Sequence, residues 1–242
     1  MSRRPPYEYD NLKALFINTT LKSTAQGESH THRLMNNSME IMRAQNVAVE
    51  ELRAADYRIA FGIQPDMREC GASHDDWPDI IWPKVMDADI LVIGTPLWLG
   101  EESSLCRVII ERLYAHSAQT NAKGQNIFYG KTGGCVVTGN EDGVKHASMT
   151  VLYALQHVGY TIPPQADCGW IGEAGPGPSY GDNGAGLDND FTQKNTTFMS
   201  WNLLHIAKML KTLNGIPAYG NVPREWQDGQ RFSHPIMPVS DL

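Results

Sequence analysis

Asp89-Ile90-Leu91-Val92-Ile93-Gly94-Thr95, followed by Pro96-Leu97-Trp98-Leu99-Gly100, is the stretch that decides the fold. Ile90 to Ile93 are apolar on both faces, which marks a central parallel strand covered by helices on either side. Pro96 is expected to stop it. Just beyond stand three bulky apolar residues in a loop, then Ser103 as a helix N-cap and a helical pattern running to His116.

The same strand-then-helix rhythm extends in both directions. Upstream, Leu12 to Ile17 reads as a strand and Thr19 to Gly27 as a polar loop. A helix begins near Ser29, with Leu34, Ser38, Ile41 and Met42 near one face. Val47 to Leu52 reads as a second strand. A variable stretch, 54–77, leads to a short helix over Ile80 to Met86 interrupted by Pro83. Downstream, Gly134 to Thr138 is a strand and Val144 to Val158 a helix. A fifth strand lies within Thr161 to Trp170. Gly172 to Asn189 is rich in Gly, Pro, Asn and Asp, a functional loop or a surface one. A last helix, Phe191 to Leu213, stops at Asn214-Gly215 and Pro217. The pattern is an α/β doubly wound sheet over residues 11–215. Residues 1–10, with Arg3, Arg4, Pro5 and Pro6, read as a disordered tail, and 216–242 as an irregular C-terminal extension.

The 242 residues suffice for a core without staples. No run approaches the ~20 apolar residues of a membrane span, and no secretory core follows Met1, so a cytoplasmic protein is expected. The net charge is −7 with cations scattered, which argues against nucleic acid. Cys70, Cys106, Cys135 and Cys168 show no metal spacing. Cys106 and Cys135 fit small buried residues. No metal is expected. His116, His146 and His157 read most simply as surface or capping residues, with His146 near enough to the third loop described below to be tested.

In open α/β sheets ligands gather at the carboxyl ends of the strands. Three loops fall there. The first, Asn18 to Ser23 continuing to Ser29-His30-Thr31, joins a strand to a helix N-terminus and carries hydroxyls and Lys22. It suits a monophosphate, and equally a set of turn and cap bonds. Neither GxxxxGK[ST] nor GxGxxG is present. The second, Pro96-Leu97-Trp98-Leu99, is an apolar shelf for a planar ring, or a packing surface. The third, Thr138-Gly139-Asn140-Glu141-Asp142-Gly143, lets backbone approach a ligand, although by itself it reads as a turn with a helix cap. Together the three form the set that FMN needs.

The segments LFINTTLKSTAQGESHTHRL, DADILVIGTPLWLGEESSLCRVIIERLY and GGCVVTGNEDGVKHASMTVLYALQHVGYTIPPQADCGWIGEAG give the chain a resemblance. It resembles the flavodoxin-like NAD(P)H-dependent FMN reductase and quinone reductase superfamily. The resemblance implies a five-stranded parallel sheet of order 2-1-3-4-5, FMN, NAD(P)H as co-substrate, and hydride transfer through flavin N5 to a quinone or similar small acceptor. It also implies a homo-oligomer. By position, Thr20, Lys22, Ser29, His30 and Thr31 would hold the phosphate. Pro96, Leu97, Trp98 and Leu99 would flank the ring, and 138–143 would contact its pyrimidine side. Lys22 stands where the family usually has Arg. Trp170, Tyr180, Asp182 and Asn183 belong to a loop able to cover the flavin. Two other readings stay open: a flavodoxin-type electron carrier, and a scaffold that lost its flavin.

Overall fold

The computed structural model describes residues 4–140, 142–173, 175 and 177–235. Met1 to Arg3 and Glu141 therefore lie outside the described residues. Six strands form: β1 (Lys13–Asn18), β2 (Ala48–Arg53), β3 (Ile90–Trp98), β4 (Glu101–Glu102), β5 (Thr132–Gly139) and β6 (Asp167–Ile171). The five longer ones are all parallel in the order β2-β1-β3-β5-β6, and the two-residue β4 pairs back on β3. Counting the parallel strands alone, the order is 2-1-3-4-5, that of the flavodoxin-like fold.

Helices cover both faces, which is why Ala14–Ile17 of β1 and Ile90–Ile93 of β3 are apolar runs. On one side α1 (His30–Arg43) and α5 (Asp190–Thr212) bury Leu34, Met35, Met39, Met199 and Leu203 against Phe16, Val92 and Val136. On the other, α3 (Ser104–Tyr114) and α4 (Val144–Val158) bury Ile109, Leu113, Val151 and Leu155 against Leu15, Ile93 and Val137. Each of α1, α3 and α5 starts where a side chain takes the orphan N–H of its first turn: Ser29, Ser103 and Asn189 accept from His32, Cys106 and Thr192. Glycine 94 matters to the site. Any Cβ there would collide with the Met35 side chain, so its absence lets α1 lie close over the end of β3.

Several expectations need correction. Pro96 does not stop β3: the strand runs on to Trp98, with Pro96 opposite Thr138, and then folds back as a hairpin onto β4. Pro83 does not interrupt a helix. It sits in the first turn of α2 (Trp82–Asp87), where a missing N–H costs nothing, after a wide turn over Trp77–Ile81. Tyr9, placed in the tail, is buried beside Trp201 and shares a 2.7 Å hydrogen bond with His205. His116 is buried too. Its Nε2 accepts from the Trp77 indole at 3.0 Å and its ring stacks on Trp82. Desolvation pushes its pKa down to about 4.

Behind the sheet, Arg112 and Asp75 form a wholly buried ion pair at 2.8 Å. Asp75 also accepts backbone N–H groups from Ala60, Met67 and Trp77, so it organises the stretch after β2. Cys106, Cys135 and Cys168 are buried, and desolvation raises each thiol, Cys106 to about 12. No helix among the described residues is long and apolar enough to cross a membrane.

Candidate flavin site

The carboxyl ends of β1, β3 and β5 open onto one cavity of about 600 Å³. It is lined by Thr20, Leu21, Lys22, His30 and Thr31 from the first loop, by Pro96, Leu97 and Trp98, and by Thr138, Gly139 and Asn140. Ser179 and Tyr180, from the glycine-rich segment, complete it. The volume suits a drug-sized or cofactor-sized ligand.

Asn18, fully buried at the last position of β1, is the hub of the first loop. Its Oδ1 accepts the Thr20 N–H at 3.1 Å, and its Nδ2 donates to Ser29 Oγ at 3.1 Å and to Glu51 at 3.3 Å. Ser29 is thus buried under the loop, busy capping α1, rather than facing the cavity. The loop is also tied to its neighbours. Thr19 donates its N–H and Oγ1 to Gly94 O, both at 2.8 Å, and Ser103 Oγ donates to Thr19 O at 2.7 Å. Thr31 and Thr138 share a 2.8 Å hydroxyl bond that joins the first loop to the third. Arg53 donates to Ser23 O and Gly27 O from the side of β2.

What remains unspent is a donor set. Among the described residues, the N–H groups of Leu21, Lys22, His30 and Thr31 have no acceptor, and Lys22 has no carboxylate partner. Thr20, only 6 % exposed, has a hydroxyl without a partner among the described residues. No carboxylate lines the cavity among those residues. An uncapped hydroxyl, amides at the positive end of a 14-residue helix and one ammonium suit a phosphate monoester. Leu97, Trp98 and Tyr180 add apolar lining to the same cavity, with Thr138 to Asn140. The residues present fit FMN.

The expected shelf is divided. Strand alternation turns Leu97 inward, 5 % exposed and packed on Gly139, while Trp98 faces outward. Leu99 does not join them. It occupies the hairpin turn with Gly100, at φ 54° and 82°, and is 89 % exposed. Leu99, Asp142 and Gly143 instead border a second cleft, of about 790 Å³, with Glu101, His146, Trp170 and Phe191. The wall between the two is close backbone packing: a Cβ on Gly143 would lie 2.6 Å from Gly100 O. His146 faces this second cleft and is paired with Glu101 at 2.9 Å.

Tyr180 is the residue the sequence reading undervalued. It is buried, stands edge-on to Trp170, and its OH accepts from Asn37 at 3.0 Å. Its carbonyl lies 3.2 Å from His30 Nδ1, and Asp182 pairs with Arg33 at 3.0 Å. A lone tyrosine in a glycine- and proline-rich run is the signal of an anchor. Burial raises its phenol, so it stays neutral.

A parallel sheet with an anion-ready helix terminus and a partly apolar cavity at its switch point defines a flavin- or nucleotide-binding α/β protein. The chain belongs to the NADPH-dependent FMN reductase family, whose model matches residues 13–169. It is 53 % identical over 241 residues, 94 % of its length, to a Mycobacterium bovis protein called divalent metal cation transporter MntH. It spans about a third (35 %) of that relative's length. It is 35 % identical over 205 residues to the 8-demethyl-8-aminoriboflavin-5'-phosphate synthase of Streptomyces davaonensis, covering 83 % of this chain and 79 % of that one. The crystal structure of RosB with bound 8-demethyl-8-formylriboflavin-5'-phosphate superposes with a TM-score of 0.79 at 30 % identity, over 96 % of this chain and 92 % of that one.

Proposed function

We propose that the protein holds FMN in the cavity between the first, second and third loops and delivers reducing equivalents from NAD(P)H to a quinone or similar small acceptor. The observation that carries this reading is the convergence of three strand ends on one cavity with a free donor set at one end and Trp98 at the other. When bound, FMN supplies the chemistry, accepting a hydride at N5 and passing it on. The chain's own part is positioning. Thr20, Lys22, His30 and the first-turn amides of α1 hold the phosphate. Thr138, Gly139 and Asn140 hold the pyrimidine edge. Trp98 and Tyr180 exclude water from the ring. Glu141 lies outside the described residues and stays a candidate for the same edge.

The test is an absorbance spectrum with added FMN, then anaerobic titration with NADPH and NADH. Direct two-electron bleaching by either nucleotide supports the reductase. No response to both, with stepwise one-electron reduction by dithionite, supports an electron carrier. A second reading has its own support in the Streptomyces relative, whose name describes a modified riboflavin phosphate. In that reading FMN is the substrate. Mass spectrometry of the flavin after turnover separates the two: an unchanged mass supports the reductase. Exposed Trp98, Leu99, Met149 and Tyr153 support self-association as well, which sedimentation checks.

A further inference from the structure

Beneath the phosphate-facing loop lies a charge pair that does not line the cavity. His32, in the first turn of α1, is 2.8 Å from Glu51 on β2, and Glu51 in turn accepts from Asn18. Asn18 then takes the Thr20 N–H and donates to Ser29. A carboxylate therefore stands two hydrogen bonds from the residue that meets the phosphate. Its side chain is 21 % exposed, so water screens it only partly.

That placement has two consequences of opposite sign. As an acceptor, Glu51 fixes the Asn18 amide: Nδ2 must face the carboxylate, so Oδ1 faces the Thr20 N–H and sets the loop. As an anion, it repels a phosphate dianion. The imidazolium of His32 cancels the second effect without disturbing the first. We infer that His32 and Glu51 form a positioning pair for the phosphate loop, and that protonated His32 is required for the protein to prefer FMN over riboflavin. This rests on the flavin-site reading above.

The surrounding charges agree. The hydrogen bond to Glu51 raises the His32 pKa, against its burial and the repulsion of Arg53 on β2 and Arg43 on α1. Burial alone would raise Glu51, but the hydrogen bonds from His32 and Asn18 outweigh it and keep the carboxylate ionised. On the cavity side stand Lys22 and His30, with Glu28, Arg33 and Asp182 paired behind them. His30 lines the cavity itself, so the test must separate the two histidines.

Dissociation constants for FMN and riboflavin, by quenching of flavin fluorescence, are measured between about pH 7 and 9, where the phosphate is already a dianion. Expected for the wild type is an FMN affinity that falls roughly tenfold as pH rises, with riboflavin flat. By linkage, FMN then raises the His32 pKa, read by NMR, by about one unit, and riboflavin leaves it alone. Glu51→Gln should remove the slope, and His32→Lys, charged throughout, should bind FMN tightly across the range. A slope surviving in Glu51→Gln would assign the effect to His30 and overturn the inference. So would a flat wild-type profile, or a fall shared by riboflavin. If Glu51→Gln does not fold, His32→Lys and the NMR titration decide alone. Failure of both flavins to bind at any pH would instead remove the site reading, and this inference with it.

Discussion

The candidate flavin cavity and the cleft beside it are built by different means. At the phosphate end, side chains do the bracing: Asn18, Ser29, Thr19, Ser103 and the Thr31–Thr138 pair form a buried network with good geometry. At the second cleft, backbone does it. Gly100 and Gly143 abut at positive φ, and the hairpin turn carries Leu99 in a left-handed conformation that favours glycine. The first kind of construction leaves polar side chains as its trace in a sequence. The second leaves mostly the absence of side chains.

Breaking the Gly100–Gly143 contact should have the largest effect. Gly143→Val places a branched side chain at φ 124° against Gly100, and should cost about 3 kcal/mol or more, read as a fall in urea midpoint. At the phosphate end, Asn18→Ala leaves the Thr20 N–H without its acceptor and frees Ser29 and Glu51. We expect a loss of roughly 2 kcal/mol, with FMN affinity falling more than riboflavin affinity.

Two histidines sharpen the contrast between screened and buried polar groups. His32 faces solvent and an acid, and its pKa is raised; His116 is buried behind α3 and its pKa falls to about 4. The unfolded chain protonates His116 near its ordinary value of ~6.5. The stability contributed by neutral His116 is therefore complete above that pH and is lost as pH falls toward 4, by up to about 1.4 kcal/mol per unit. His116→Gln should remove that part of the acid slope in denaturant titrations at pH 7, 5.5 and 4.5. The smallest effect is a gain. Leu99→Gly relieves the turn at φ 54° and should stabilise by about 0.5–1 kcal/mol, a rise of a few degrees in Tm.

Where the sequence could be read follows the same division. The apolar run Ile90 to Ile93 marked the central strand because burial on both faces leaves no polar position. The hydroxyls and Lys22 of the first loop were visible as a cluster, and the structure gathers Thr20, Lys22, His30 and Thr31 into one cavity. Pro96 misled because proline usually ends a strand, yet here it sits within β3 and the chain turns only at Leu99-Gly100. That turn lacks the Asn-Gly signature of a two-residue hairpin, so three apolar residues read as one shelf although alternation and the turn send them in different directions. His116 and Tyr9 were hidden because their burial depends on partners far along the chain, Trp77, Trp82 and His205.

The central claim is that one cavity at the ends of β1, β3 and β5 takes FMN whole. A crystal structure with FMN tests it most directly. The account predicts the phosphate among Thr20, Lys22 and the first-turn amides of α1, with the ring between Trp98 and the Thr138 to Asn140 edge. FMN seated instead in the cleft of Leu99, His146 and Trp170, or its phosphate turned away from α1, would contradict it.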